Sequence, residues 1–511
     1  MKKTVRMLKS LALVLALALC LCACAVEDEP EEFWEEEPEE SAPEEAVPVE
    51  ISAFALPILT GQTLDPITCP DGVQQTLSTL LYEGLFALDE QFTPLPRLCA
   101  SYTVSEDGLV YTFTLREGVT FSDGSALTAA DALASLRRAA ASERYGARLA
   151  NVIAFKVSGG ALVVTLHRPD SALPALLDIP IVKAGTENSL VPAGTGPYFL
   201  ITDSEGPCLS RNDNYWRAVK PPLPRIALVE AKSTDAVSYL FSSYDVHLLT
   251  TDLTGTAGTV SVSGLDITDA PTTEVLYLGF NAARPLTGDA ALRRAMGRAI
   301  DRTSVAGAFL AGHATPAQFP ISPSSPLYPA ALEQDYDSSA YGEALRLPDA
   351  EGEQIPELTL LVNEENSFKV ATAEYLCRQF STKDLTVKAR ILPWAEYLSA
   401  LQGGAFDLFL GQVRLQADWD CSPLVASYGA LNYGSYGNET TDALLAAFLT
   451  NETAETAQAL CAHLAQEAPI LPLAFKSGSV LTPAGLVDDL TPTASNPFYG
   501  FEQWTLHLPE A

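Results

Sequence analysis

Residues 106–124 read Glu-Asp-Gly-Leu-Val-Tyr-Thr-Phe-Thr-Leu-Arg-Glu-Gly-Val-Thr-Phe-Ser-Asp-Gly, a turn, a strand and a second turn in succession. Ser105-Glu106-Asp107-Gly108 has turn chemistry and feeds Val110 to Leu115, where Tyr111, Phe113 and Leu115 alternate with threonines. A period of two with large apolar residues on one face predicts a half-buried strand. Phe121-Ser122-Asp123-Gly124 turns the chain again. Thr128 with Asp131 three residues on has the form of a capping box. The helix behind it carries Ala132, Leu133, Leu136 and Ala140 on one side, Arg137 and Arg138 on the other. Ala161 to His167, after the Ser158-Gly159-Gly160 turn, is a second hairpin arm.

Strands and helices go on alternating without internal repeats, which is α/β patterning. Val275 to Phe280 is an apolar run without alternation, as expected of a strand covered on both faces. Gly288 to Asp301 has helical spacing, and Pro316 to Pro329 is irregular and proline-rich. Leu358 to Val362, Ala371 to Phe380 and Leu385 to Ile391 read as strand, helix and strand. Two further helices fall near Asp442–Phe448 and Ala454–Ala468, and Leu471 to Phe475 reads as a strand returning to the first lobe.

Four bases (Lys2, Lys3, Arg6, Lys9) precede an uncharged apolar stretch from Leu11 to Ala23. That stretch suits a secretory signal and is shorter than the ~20 residues that span a bilayer. It ends in Leu21-Cys22-Ala23-Cys24, which resembles a bacterial lipobox, so residues 1–23 are expected to be a signal peptide and Cys24 the lipid-bearing thiol. Residues 24–50 hold 13 acids and no base. Such a tract repels itself and is expected to be a disordered spacer. The whole chain carries a net charge of −33, more negative still without the signal. A surface this acidic argues against a nucleic-acid partner. The six remaining cysteines (Cys69, Cys99, Cys208, Cys377, Cys421, Cys461) have no framework spacing and are read as mostly small buried hydrophobes.

Several strings, taken in order, resemble the family 5 solute-binding proteins of peptide and nickel ABC importers. They are Leu64-Asp65-Pro66, Leu81-Tyr82-Glu83-Gly84-Leu85-Phe86, the residues 107–124, Gly194-Thr195-Gly196-Pro197-Tyr198, Asn214-Tyr215-Trp216, Gly279-Phe280-Asn281 and Ala299-Ile300-Asp301-Arg302. The resemblance implies a two-lobed α/β periplasmic-binding-protein clamshell (class II type) with a small α+β domain inserted in lobe I. Lobe I would span 51–275 with the insert at about 87–191, lobe II 276–470, and 471–511 would return to lobe I. Crossings near Phe280 and Leu471 would serve as hinges.

The resemblance also implies a ligand held between the lobes, a peptide by preference, and an Asp before an aromatic to hold its ammonium. Asp418, in Ala417-Asp418-Trp419-Asp420, stands at that place. The segment opens Gly411-Gln412-Val413-Arg414 and reaches Pro423 one residue late, so Asp420 is the alternative acid. A third reading has Asp418 capping a turn. Arg414 is a candidate for a ligand carboxylate or an ordinary surface ion pair. Trp394, Trp419 and Tyr433 are cleft aromatics or core. Glu83 would lie near the cleft, with Gly84 letting backbone approach the ligand. The glycines Gly194 and Gly196 are read as a tight turn before Pro197.

The expected partners are a peptide or other small solute, an ABC importer permease and the membrane through the lipid anchor, with a monomeric chain and no cofactor or metal. A chelated metal of the nickel type and a peptide-sensing receptor are the alternatives. For a hydrolase there is no G-x-S-x-G or H-E-x-x-H motif, and the five histidines are far apart.

Overall fold

Strand Val110–Leu115 pairs on one edge with Cys99–Val104 and on the other with Ala161–Leu166, beyond which lies Val152–Ser158. Tyr111 and Phe113 face inward and the threonines outward, as the alternation requires. Helix Ala129–Ala140 covers that inner face, burying Leu136 against Phe113, Leu162 and Val164. Its start is fixed by Asp131, whose carboxylate accepts from the Thr128 N–H at 2.9 Å. The computed structural model describes residues 53–70, 72–256, 263–344 and 355–508. The expected signal, lipid site and acidic spacer lie outside the described residues.

A second core surrounds a four-stranded sheet in the order Ala55–Leu59, Arg225–Ala231, Gly206–Arg211, Tyr198–Asp203. Helix Val73–Leu81 packs on it, and Phe498, Phe501 and Trp504 return from the C-terminal segment to close it. Gly194 and Gly196 have a definite task here. A Cβ on either would stand within 2.6 Å of the Leu81 backbone, so only glycine lets that loop lie against the helix end. Gly84 likewise admits the Asp178 backbone, 2.6 Å from where its Cβ would be.

The largest sheet runs Leu249–Thr251, Ile470–Pro483, Leu265–Phe280, Leu408–Arg414, Glu357–Asn363, Thr386–Leu392, with Ala314–Pro316 also on the Ile470–Pro483 strand. Val275 to Phe280 is buried throughout, sandwiched between two apolar clusters. Cross-strand pairing here sets an aromatic over a glycine twice: Tyr277 opposite Gly411, and Phe409 opposite Gly279. The two rings meet edge to face at 5.7 Å.

Two strands of this sheet link the cores. Ile470–Pro483 begins in the apolar cluster around Leu276 and Leu360 and passes with Val480 into the core of the four-stranded sheet. Its partner Leu265–Phe280 shifts register twice, between Pro271 and Val275 and between Leu276 and Tyr277, and Phe280 and Leu471 are packed in one apolar cluster. All six described cysteines are buried.

Candidate functional site

Glu357–Asn363 is parallel to both of its neighbours, Thr386–Leu392 and Leu408–Arg414, so the carboxyl ends of three strands share one edge. In open α/β sheets that edge is where ligands bind, because loops and helix N-termini converge there. Asn366, past the first strand, caps helix Ser367–Phe380 by accepting from the Lys369 N–H at 3.0 Å. Pro393, past the second, leads into helix Trp394–Gln402. Residues 415–421, past the third, carry Asp418 to the short helix Ser422–Val425.

Glu365 ties two of these loops together. It accepts from Asn363 Nδ2 at 2.8 Å and from the Trp394 N–H at 2.6 Å. Those bonds hold its carboxyl below the ordinary glutamate range. Asp252 and Thr254 close on the same edge. Asn366 Nδ2 donates to the Thr254 carbonyl at 2.9 Å, and Asp252 pairs with Lys476 Nζ.

Asp418 is 6% exposed, and its carboxylate accepts a single bond, from the Asp420 N–H at 3.1 Å. Burial, with Asp170 and Asp420 adding like charge, pushes its pKa up to about 7. Glu452 is raised to about 8 by burial and by Asp418 and Asp170, and its Oε1 is buried without a hydrogen-bond partner. Asp170 is raised to about 6, chiefly by burial. These three carboxyls come from distant parts of the chain. The join is made by Ser171, whose Oγ accepts from the Glu452 N–H at 2.7 Å and whose N–H donates to the Leu449 carbonyl at 3.1 Å. Arg168 bridges to Asp420 at 3.3 Å across the same seam.

The other candidates divide. Trp419 is core: 2% exposed, it packs edge-on against Phe92 at 5.0 Å and Phe475 at 6.0 Å, with a left-handed backbone at φ 53°. Asp420 accepts from the Ser422 N–H at 2.8 Å as well as from Arg168, so it fixes the turn. Arg414 extends to solvent and meets Glu274 at 3.2 Å. Trp394 is 53% exposed, stacked on Tyr397 at 5.6 Å, and is the most accessible aromatic on this edge among those anticipated. Tyr433 is half-buried against Phe409.

Glu83 is not brought to this edge. It accepts from Thr195 Oγ1, Tyr215 Oη and Trp216 Nε1 at 3.0, 2.7 and 2.9 Å, and burial raises its pKa despite them. It lines a separate cavity of about 120 Å³ with Arg97, Arg217 and Tyr499.

Sequence reasoning missed Lys369, Asp170 and Glu452. Lys369 had a readable signal. It occupies the third position of a helix capped by Asn366, where a capping box carries Glu or Gln and where the helix dipole disfavours a cation. Asp170 and Glu452 had none, since only folding brings them together. Among the described residues no three His, Cys, Asp or Glu side chains converge as a metal site.

Residues 93–435 match the family described as bacterial extracellular solute-binding proteins, family 5 Middle. The chain belongs to this family. It is therefore a solute-binding protein of the ABC-importer class with the two-lobed clamshell fold. The chain is 28% identical over 427 residues to the glutathione-binding protein GsiB of Salmonella typhimurium (strain LT2), covering 77% of this chain and 82% of that protein. In structure it resembles a nickel ABC transporter protein from Bacillus halodurans, with a TM-score of 0.72, 20% identity and coverage of 88% and 98%. It also resembles the oligopeptide-binding protein AppA of Bacillus subtilis, solved with a nonapeptide: TM-score 0.59, 20% identity, coverage 90% and 100%.

Proposed function

We propose that this solute-binding protein is a lipoprotein, tethered through Cys24 outside the cell membrane, that captures a short peptide and hands it to an ABC importer permease as a monomer and without chemical turnover. The observation that carries the peptide reading is the buried acid at Asp418, close to two further carboxyls and, among the described residues, in no ion pair. A cation ~4 Å from one carboxylate gains about 4 kcal/mol at an effective dielectric of 20, before desolvation is subtracted. A peptide's terminal ammonium supplies that cation. Trp394, stacked on Tyr397 beside the same strand ends, offers an apolar surface to a side chain. The relative that binds glutathione, a small peptide with a free amine, agrees with this.

Uptake of labelled tripeptide by cells with and without the gene tests the reading. Loss of uptake on deletion is the expected result, and undiminished uptake would indicate a sensor. Cys24→Ser is expected to release the protein from the membrane fraction.

A further inference from the structure

The cavity beside Glu83 is walled by rings and carries one guanidinium without a partner. It lies where the core of the four-stranded sheet, at Phe498 and Phe501, meets the core of the Val110–Leu115 sheet, at Phe86. Its volume of about 120 Å³ approaches that of an apolar cavity known to hold one benzene ring, ~150 Å³. The exposed Val219 is also part of its wall, so the hollow can be reached from solvent.

The charges on this wall are paired off except at Arg97. Arg217 meets Glu502 at 2.7 Å, and Asp178 is tied to Arg148. Glu83 feels the charge of Arg97, but its oxygens already accept from Thr195, Tyr215 and Trp216. Among the described residues the Arg97 guanidinium makes no hydrogen bond or ion pair, and its central carbon stands 6.0 Å from the centre of the Tyr499 ring. Acids outnumber bases 64 to 31 in this chain, so a free arginine is not left over for want of carboxylates. An arginine placed over a ring keeps its N–H fork available in plane, and that fork matches the two oxygens of a carboxylate. On a ring-lined hollow of this size, it suits an acid with one compact apolar body.

We infer that the cavity at Arg97 is a second binding site, which takes a small aromatic carboxylate independently of the solute at the strand edge. Arg97 would hold the carboxylate, while Phe86, Phe498 and Tyr499 would cover the ring.

The test is calorimetric titration of the full-length protein with benzoate, with its neutral amide benzamide and with acetate. Benzoate is expected to bind at millimolar concentration and to be preferred over benzamide by at least about tenfold, as a charged hydrogen bond implies. Acetate, which has no ring to bury, should bind more weakly than benzoate by a similar factor. Arg97→Gln should erase the preference for acid over amide, and Arg97→Lys should keep part of it. Tyr499→Ala, which leaves Arg97 in place, should weaken benzoate at least about fivefold. Asp418→Asn should leave benzoate binding as it is.

No heat with benzoate, equal binding of acid and amide, or acetate bound as tightly as benzoate would overturn the inference. So would a preference unchanged in Arg97→Gln. Loss of benzoate binding in Asp418→Asn would overturn it too, by placing the acid at the strand edge. If Arg97→Gln shows no cooperative melting, Tyr499→Ala decides, and native affinity in that variant would dismiss the site.

Discussion

Phe92 meets Trp419 edge to face, with ring centroids 5.0 Å apart, and so joins the turn after strand Phe86–Leu88 to the loop that carries Asp418. Asp418 is thus positioned by a neighbour that is part of an apolar contact between elements far apart in sequence. Phe92→Ala removes one ring of that contact from the apolar cluster around Trp419, at a cost of about 3–5 kcal/mol. Small-angle scattering of the ligand-free protein is expected to show a larger radius of gyration than for the native chain. An unchanged radius would mean that the contact does not hold the two parts together.

The raised carboxyls make stability fall with increasing pH. An unfolded Asp or Glu releases its proton near pH 4, whereas Asp170, Asp418 and Glu452 hold theirs to about 6, 7 and 8. Between those limits the native state binds more protons, so unfolding free energy declines as pH rises from 4 to 8. Urea midpoints should therefore be higher at pH 5.5 than at pH 8.5. Asp418→Asn should reduce the difference and raise stability at pH 8.5 by up to about 4 kcal/mol, at 1.4 kcal/mol per pKa unit. A midpoint that rises with pH would contradict the cluster.

Binding of an ammonium at Asp418 should expel a proton, because the cation favours the charged carboxylate. Titration of Ala-Ala-Ala at pH 6.5 in buffers of different ionisation enthalpy is expected to show net proton release. Asp418→Asn should abolish that release together with most of the affinity. Release unaltered in the variant would place the ammonium elsewhere.

Gly279→Ala and Gly411→Ala place a methyl 2.2 and 2.4 Å from the rings of Phe409 and Tyr277. Overpacking of this kind costs about 1–3 kcal/mol or more. Both variants should lower the melting temperature by several degrees, and a change within error would show that the two rings can move aside.

The parts legible in sequence are those whose reason is local. The alternation at Tyr111 and Phe113, the Thr128–Asp131 box and the apolar run to Phe280 each follow from period or capping chemistry, and each stands as read. What stayed hidden depends on long-range contact. Ser171 reaches Glu452 across 281 positions, and no pattern in either segment marks the other. Trp419 is an aromatic in an acidic segment, and only Phe92 and Phe475 make it core. The register shifts between Pro271 and Val275 and between Leu276 and Tyr277 are set by pairing with the distant strand Ile470–Pro483, and nothing in the apolar run to Phe280 marks either.

On the proposed reading the solute is a short peptide with a free amine. Thermal unfolding of the protein with a pool of short peptides, beside the same pool N-acetylated, tests this most directly. At 1,000 times its Kd a ligand adds about 4.1 kcal/mol, well above the resolution of a melting curve. A rise is expected with the free-amine pool and little or none with the acetylated one. An equal rise with both would remove the ammonium from the recognition, and no rise with either would contradict the peptide reading.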